Sequence, residues 1–136
     1  MKRDLSLACL LCVCLIALFV QPVSAQTINP RTAYFTASGD HDTVVSGLAA
    51  IERYELAVMV GSATGAMAFS KDLGKPNPNA QREIAVTIPE FATMASGSYV
   101  ATVSAIGPGG VARSAPSNPF SRINQPAAPT GVGVRQ

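Results

Sequence analysis

The sequence predicts an all-β fold, a two-sheet antiparallel sandwich of about seven short strands. Three observations carry this expectation. In residues 97–106, Tyr99, Ala101, Val103 and Ala105 alternate with Val100, Thr102 and Ser104, the period of two that a strand buried on one face produces. Residues 51–60 repeat the pattern, with Tyr54, Leu56, Val58 and Val60 on one face and Glu55, Ala57 and Met59 on the other. Beyond residue 25 the chain is rich in Ala, Val, Ser, Thr, Gly and Pro, a composition suited to short strands joined by turns.

Residues 1–25 are expected to be an export signal. Lys2 and Arg3 make a positive start, an apolar run follows over 5–20, and Val23-Ser24-Ala25 places small residues where a signal peptidase reads them. The apolar run is shorter than the roughly 20 residues that span a bilayer, so it does not read as a retained anchor. Cys9, Cys12 and Cys14 lie inside it, without the aliphatic and small residues that a lipid-attachment site needs ahead of its cysteine. All three leave with the signal. The mature chain then has no disulfide, no thiol nucleophile and no cysteine–zinc site, and its core alone must hold it. Its length suits one domain.

Within the mature chain, residues 26–31 are polar, contain Pro30 and read as a short leader. A strand is expected over 32–37, with Ala33, Phe35 and Ala37 on one face. Residues 38–46 read as a loop, with Gly39, Asp40 and Asp42 as turn formers. After the strand at 51–60, Gly61 and Gly65 break the chain, and 66–70 reads as a short edge strand carrying Met67 and Phe69. Residues 73–81 hold Gly74, Pro76, Asn77, Pro78 and Asn79, which is loop chemistry; 71–79 is the longest loop and a candidate recognition loop. A strand over 83–88 points Ile84, Val86 and Ile88 inward until Pro89 ends it, and 91–94 crosses between sheets, dropping an apolar side chain into the core. After residue 106, Gly107-Pro108-Gly109-Gly110 forces a turn into a second run that Pro116 and Pro119 confine to a sheet edge. The domain is placed at 32–123, followed by a Pro/Gly-containing tail at 124–136. No helix is expected after residue 25.

This pattern resembles fibronectin type III domains over residues 32–120, in an immunoglobulin-like fold. Ile51, Tyr54 and Leu56 match the spacing of that family's third strand. Tyr99, Ala101, Val103, Ala105 and Gly109 match its sixth strand and following turn, and Ser114-Ala115-Pro116-Ser117 its last strand. The resemblance implies that Tyr99 is a corner tyrosine, its hydroxyl bonded to a main-chain group a few residues upstream. Two features depart from the family. The chain has no tryptophan, leaving Phe35 as the substitute in the second strand. Residues 26–31 are also too short and polar for a good first strand. The tail carries Pro129 and alternating Val132 and Val134, which resemble that opening strand. A terminus without structure, a linker and a strand that folds back, in cis or onto a neighbour, remain alternative readings of it.

The structural residues are expected to be Phe35, Tyr54, Leu56, Val58, Val86, Tyr99 and Val103, supported by Ile84, Ile88 and Ala101. Asp40, His41 and Asp42 are the candidate metal ligands, since carboxylate and imidazole suit divalent cations. Adjacent residues rarely all face one ion, so no metal is expected here and the loop reads as a solvated turn, in which replacing all three leaves the fold intact. No Gly-x-Ser-x-Gly elbow is present. Glu52 and Glu55 fall on opposite faces of a regular strand, which does not suit glycosidase chemistry; Glu83 and Glu90 read as strand-end charges. The glycine-rich turn at 107–110 precedes no helix and is a hairpin turn rather than a phosphate cradle. No two basic residues adjoin in the mature chain, so nucleic acid is not an expected partner.

The expectation is therefore a non-catalytic module, exported to the periplasm or the cell exterior. Its role is binding a protein or an envelope or surface polymer, or a structural or adhesive one. No cofactor is expected, and no membrane contact after signal cleavage. The alternative is a carbohydrate-binding or accessory module for a polysaccharide-active system. That needs exposed flat rings, whereas most of the aromatics are wanted in the core.

Overall fold

A computed structural model describes residues 26–128 and 130–131. The expected signal at 1–25, with its cysteines, and Val132 and Val134 lie outside the described residues. The described chain is all-β, built from several sheets without barrel closure, as a β-sandwich requires. Its strands are β1 (Thr27–Ile28), β2 (Thr32–Thr36), β3 (Val44–Val45), β4 (Leu48–Ala49), β5 (Arg53–Val60), β6 (Met67–Gly74), β7 (Glu83–Thr87), β8 (Gly97–Gly107), β9 (Gly110–Arg113) and β10 (Phe120–Arg122). The large sheet has the order β1-β10-β8-β5-β6, with β9 also on β8. Separate pairs are formed by β2 with β7 and by β3 with β4.

The inward face of β5 is the expected one. Tyr54, Leu56 and Val58 are buried, while Val60, expected beside them, is 47% exposed where the strand ends. Leu56 and Val58 join Ile88, Phe91, Tyr99 and Phe120 in one apolar cluster; Ala37, Ile51, Tyr54 and Ile84 form a second. Leu73, Val86 and Val103 pack against both and join them. Phe91 reaches the core from a single 3-10 turn, Pro89–Ala92, that follows the strand ended by Pro89. Phe35, Val86, Ala101 and Val103 face this core but are only half-buried. On the opposite face of the large sheet Ala57, Met59, Val100, Thr102 and Ser104 are buried as well. Their strands are central and paired on both edges, so neighbouring side chains screen them.

Tyr99 forms the expected corner: its hydroxyl donates to the Ala95 carbonyl at 2.8 Å. The edge run after the 107–110 turn is not one strand. It leaves the ladder after Arg113 and returns at Phe120. Between them the Ser114 and Ser117 hydroxyls accept the N–H groups of Val103 and Ala101, each at 3.0 Å. Side-chain oxygens thus stand in for main-chain carbonyls across a segment that Pro116 and Pro119 keep out of regular pairing.

Three segments differ from expectation. Residues 26–31, read as a leader, supply β1, which pairs in parallel with β10. Asn29 then turns the chain at φ 51, a conformation asparagine tolerates, and its Oδ1 accepts from Ile123 N–H and from Arg122. Residues 38–46, read as a loop, run into a hairpin at 44–49, where Ser46 and Gly47 both take positive φ, as a two-residue type I′ turn demands. The strand expected at 66–70 extends to Gly74, shortening the loop expected at 71–79. Phe69, Lys71 and Leu73 lie half-buried on its inner side, and the Lys71 ammonium reaches Glu90 at 2.5 Å. That contact, helped by a backbone hydrogen bond at Glu90 itself, holds the Glu90 carboxyl below its ordinary range.

The position of Leu56, 1% exposed among both sheets' side chains, sets an expected outcome. Leu56→Ala should lower unfolding stability by about 2–5 kcal/mol in urea titrations, whereas Val60→Ala at the exposed strand end should stay within about 1 kcal/mol.

Candidate functional site

The side chains of Asp40, His41 and Asp42 do not converge on one point. His41 is only 2% exposed. Its main-chain N–H closes a turn onto the Ser38 carbonyl at 3.0 Å, which swings the ring inward over the end of the core. There Nδ1 lies 2.9 Å from the Tyr54 hydroxyl and the two rings stack 5.8 Å apart. The same hydroxyl accepts the Ser38 N–H at 3.2 Å. A hydroxyl has one proton to give. The arrangement that uses every group is Tyr54 accepting from Ser38 and donating to Nδ1, which leaves the His41 proton on Nε2.

Of the neighbouring carboxylates, one is shared between His41 and Arg82 and the other is in solvent. Asp42 is 3.9 Å from Nε2 and 3.5 Å from the Arg82 guanidinium; Arg82 also donates to the Ser38 carbonyl at 2.8 Å. Asp40 is exposed. Among the described residues no group of three His, Cys, Asp or Glu side chains is placed to hold a metal ion. The solvated-turn reading fails. His41 is a polar plug bonded to a core tyrosine, so replacing Asp40, His41 and Asp42 together is expected to destabilise the fold. The sequence did not signal this, because the partner of His41 lies thirteen residues away.

The surface that stands out chemically is the tip beyond this plug. Val44, Val45 and Leu48 on the β3–β4 hairpin and Val111 on β9 are each between 61% and 67% exposed. A close backbone approach sets the two hairpins side by side. A Cβ on Gly107 would lie 1.9 Å from the Ala50 carbonyl oxygen, so only glycine fits there. Glu52 N–H bonds to the Ile106 carbonyl at 2.8 Å, and Ala50 N–H to the Thr43 carbonyl at 2.9 Å. The sequence carried one cue to the hairpin, Ser46-Gly47 between two aliphatic pairs. The glutamates of the sequence reading stay apart: Glu55 pairs with Arg53 and Glu90 with Lys71.

Searches against known protein families, curated proteins and solved structures returned no match for this chain.

The Tyr54 hydroxyl gives a direct check. Tyr54→Phe leaves both the Ser38 N–H and buried His41 Nδ1 without their partner, and should cost about 1–3 kcal/mol. Tyr34→Phe, at a ring 74% exposed, should change stability by less than about 0.5 kcal/mol. Both values are read from urea unfolding followed by tyrosine fluorescence or circular dichroism.

Proposed function

We propose that this chain is a non-catalytic, exported binding module with fibronectin type III-like architecture, and that it holds a protein partner through the aliphatic tip of its β3–β4 hairpin and the adjacent β9. The observation that carries the reading is the exposure of Val44, Val45, Leu48 and Val111, large apolar side chains turned to solvent on two hairpins that the close Gly107–Ala50 approach holds together. Burial against a partner is the physical gain open to such a surface, and loops on a rigid scaffold are where sandwiches place recognition. The grouping of β2 with β7, and of β5 with β8 and β9, supports the architecture, since immunoglobulin-like folds divide their strands in this way. The Tyr99–Ala95 bond supports it also. The parallel placement of β1 beside β10 is this chain's own variation on it.

A second reading, binding of an envelope or surface polysaccharide, is favoured by one feature. Tyr34 is 74% exposed and offers a flat ring on which a sugar can stack. The other aromatic rings of the described residues are buried or half-buried.

Saturation binding of the labelled chain from Gln26 to native cell envelopes separates these readings. The expected result is saturable binding that protease treatment of the envelopes removes, and that Val45→Asp with Leu48→Asp reduces at least about tenfold at unchanged melting temperature. Binding that survives protease, is removed by glycosidase and falls with Tyr34→Ala transfers the function to the carbohydrate reading. Absence of saturable binding contradicts both.

A further inference from the structure

The end of the sandwich opposite the exposed hairpins carries a depression of about 430 Å³. Three segments build it: the chain from Ile28 to Arg31, the 3-10 turn at Phe91 and Ala92, and the exit of β10 from Arg122 to Pro126. Strand register explains why they meet. Ile28 lies beside Ser121 in the parallel pair of β1 and β10, and Asn29 Oδ1 accepts the Ile123 N–H at 2.8 Å. The Asn124 N–H is in turn held by the Ser96 hydroxyl at 2.9 Å, just ahead of β8. Hydrogen bonds between segments distant in sequence thus frame the depression.

Its chemistry is both apolar and cationic. Ile28 and Ile123 line it and are each more than half exposed, and the buried Phe91 lies against them. Arg31 and Arg122 line it as well. Arg122 donates to Asn29 Oδ1 at 3.0 Å, to the Ala92 carbonyl at 2.9 Å and to the Ile123 carbonyl. All three acceptors are uncharged, and its buried Nε–H has no acceptor among the described residues. Arg31 is exposed, and its side chain makes no hydrogen bond or ion pair among the described residues. The one carboxylate on these three segments, Glu90, is taken by Lys71 of β6. Two positive charges therefore share one depression without a counter-charge, a repulsion that an entering anion relieves.

The anion must also suit the apolar lining. A phosphate or sulfate keeps its hydration and gains nothing from Ile28 and Ile123. A carboxylate on an aliphatic body uses both halves of the depression. Its carbon leaves water against the isoleucines, and its two oxygens match the planar fork of a guanidinium.

We propose that this depression binds a carboxylate carried on an aliphatic body, with Arg31 as its guanidinium partner, Arg122 as a fixed positive charge beside it, and Ile28 and Ile123 covering the carbon. A peptide C-terminus with an aliphatic last residue and a free aliphatic acid share this chemistry. The site is separate from the hairpin tip and does not depend on a partner bound there.

Amide NMR titration of the chain from Gln26 with N-acetyl-leucine tests this. The expected result is saturable shifts at Ile28, Asn29, Ala92, Ile123 and Asn124. N-acetyl-leucinamide lacks the carboxylate and inorganic phosphate lacks the aliphatic body; each should bind at least about tenfold more weakly. Arg31→Ala should weaken N-acetyl-leucine at least about tenfold at unchanged melting temperature, since no described group loses a partner with it. Ile123→Glu should weaken it as much by setting a like charge in the depression. Hexanoate binding as tightly as N-acetyl-leucine assigns the site to free aliphatic acids, and hexanoate binding more weakly assigns it to peptide C-termini. Absence of saturable shifts, equal binding of the amide or of phosphate, or unchanged affinity in Arg31→Ala overturns the proposal.

Discussion

The ladder between β5 and β8 runs without interruption from Arg53↔Ile106 to Val60↔Tyr99, and the remaining strands are placed by it. Its register sets Leu56 opposite Val103 and Val58 opposite Ala101, side chains that share the inner face. A slip of one residue would turn Leu56 and Val58 outward and bring Glu55 into the core, so the hydrophobic pattern and the ladder specify each other. β6 and β10 then add to the outer edges of this pair, and β2 with β7 covers its inner face.

Two tyrosines finish the core at opposite ends of β5 and β8, and each spends its hydroxyl differently. Tyr99, packed on Phe120 at 5.9 Å, ties its own chain back to Ala95. Tyr54, packed on Phe35 at 5.0 Å, joins Ser38 and His41. The second bond set folds the 38–42 loop under the hairpin that carries the exposed aliphatics. The residues that resemble a metal motif thus support the surface proposed to bind, with His41 held in the fold by Tyr54. The other end is tied by Arg122, which donates to the Ala92 carbonyl at 2.9 Å and to Asn29 Oδ1 at 3.0 Å. There β1, β10 and the 3-10 turn meet.

The strands were legible in the sequence wherever one face is apolar and the other polar. Tyr54, Leu56 and Val58, then Ile84, Val86 and Ile88, then Tyr99, Ala101 and Val103 all face the core as their period of two indicates. Legibility ended where the cause is not periodic. Lys71 interrupts the apolar side of β6 and disguised the second half of that strand; it is tolerated because Glu90 meets it from another element. β1, β3 and β4 have two residues each, too few to show a period. His41 looked like a solvent residue because aspartates flank it, and its burial depends on a hydroxyl distant in sequence. The candidate binding surface was missed for a related reason: residues 38–46 read as a loop, and strands of two residues give Val44, Val45 and Leu48 no period to show.

The account rests on β5 and β8 as the last part of the fold to open. Native-state hydrogen exchange over a series of low denaturant concentrations measures this directly. The Ala57, Met59, Val100 and Thr102 amides, which alternation turns toward the partner strand while those of Ala101 and Val103 bond outward to Ser117 and Ser114, should exchange only through global unfolding, with the largest dependence on denaturant, while those of β2 and β7 open earlier. If the β2–β7 amides outlast those of β5 and β8, the ladder is not the foundation of the fold and the account is contradicted.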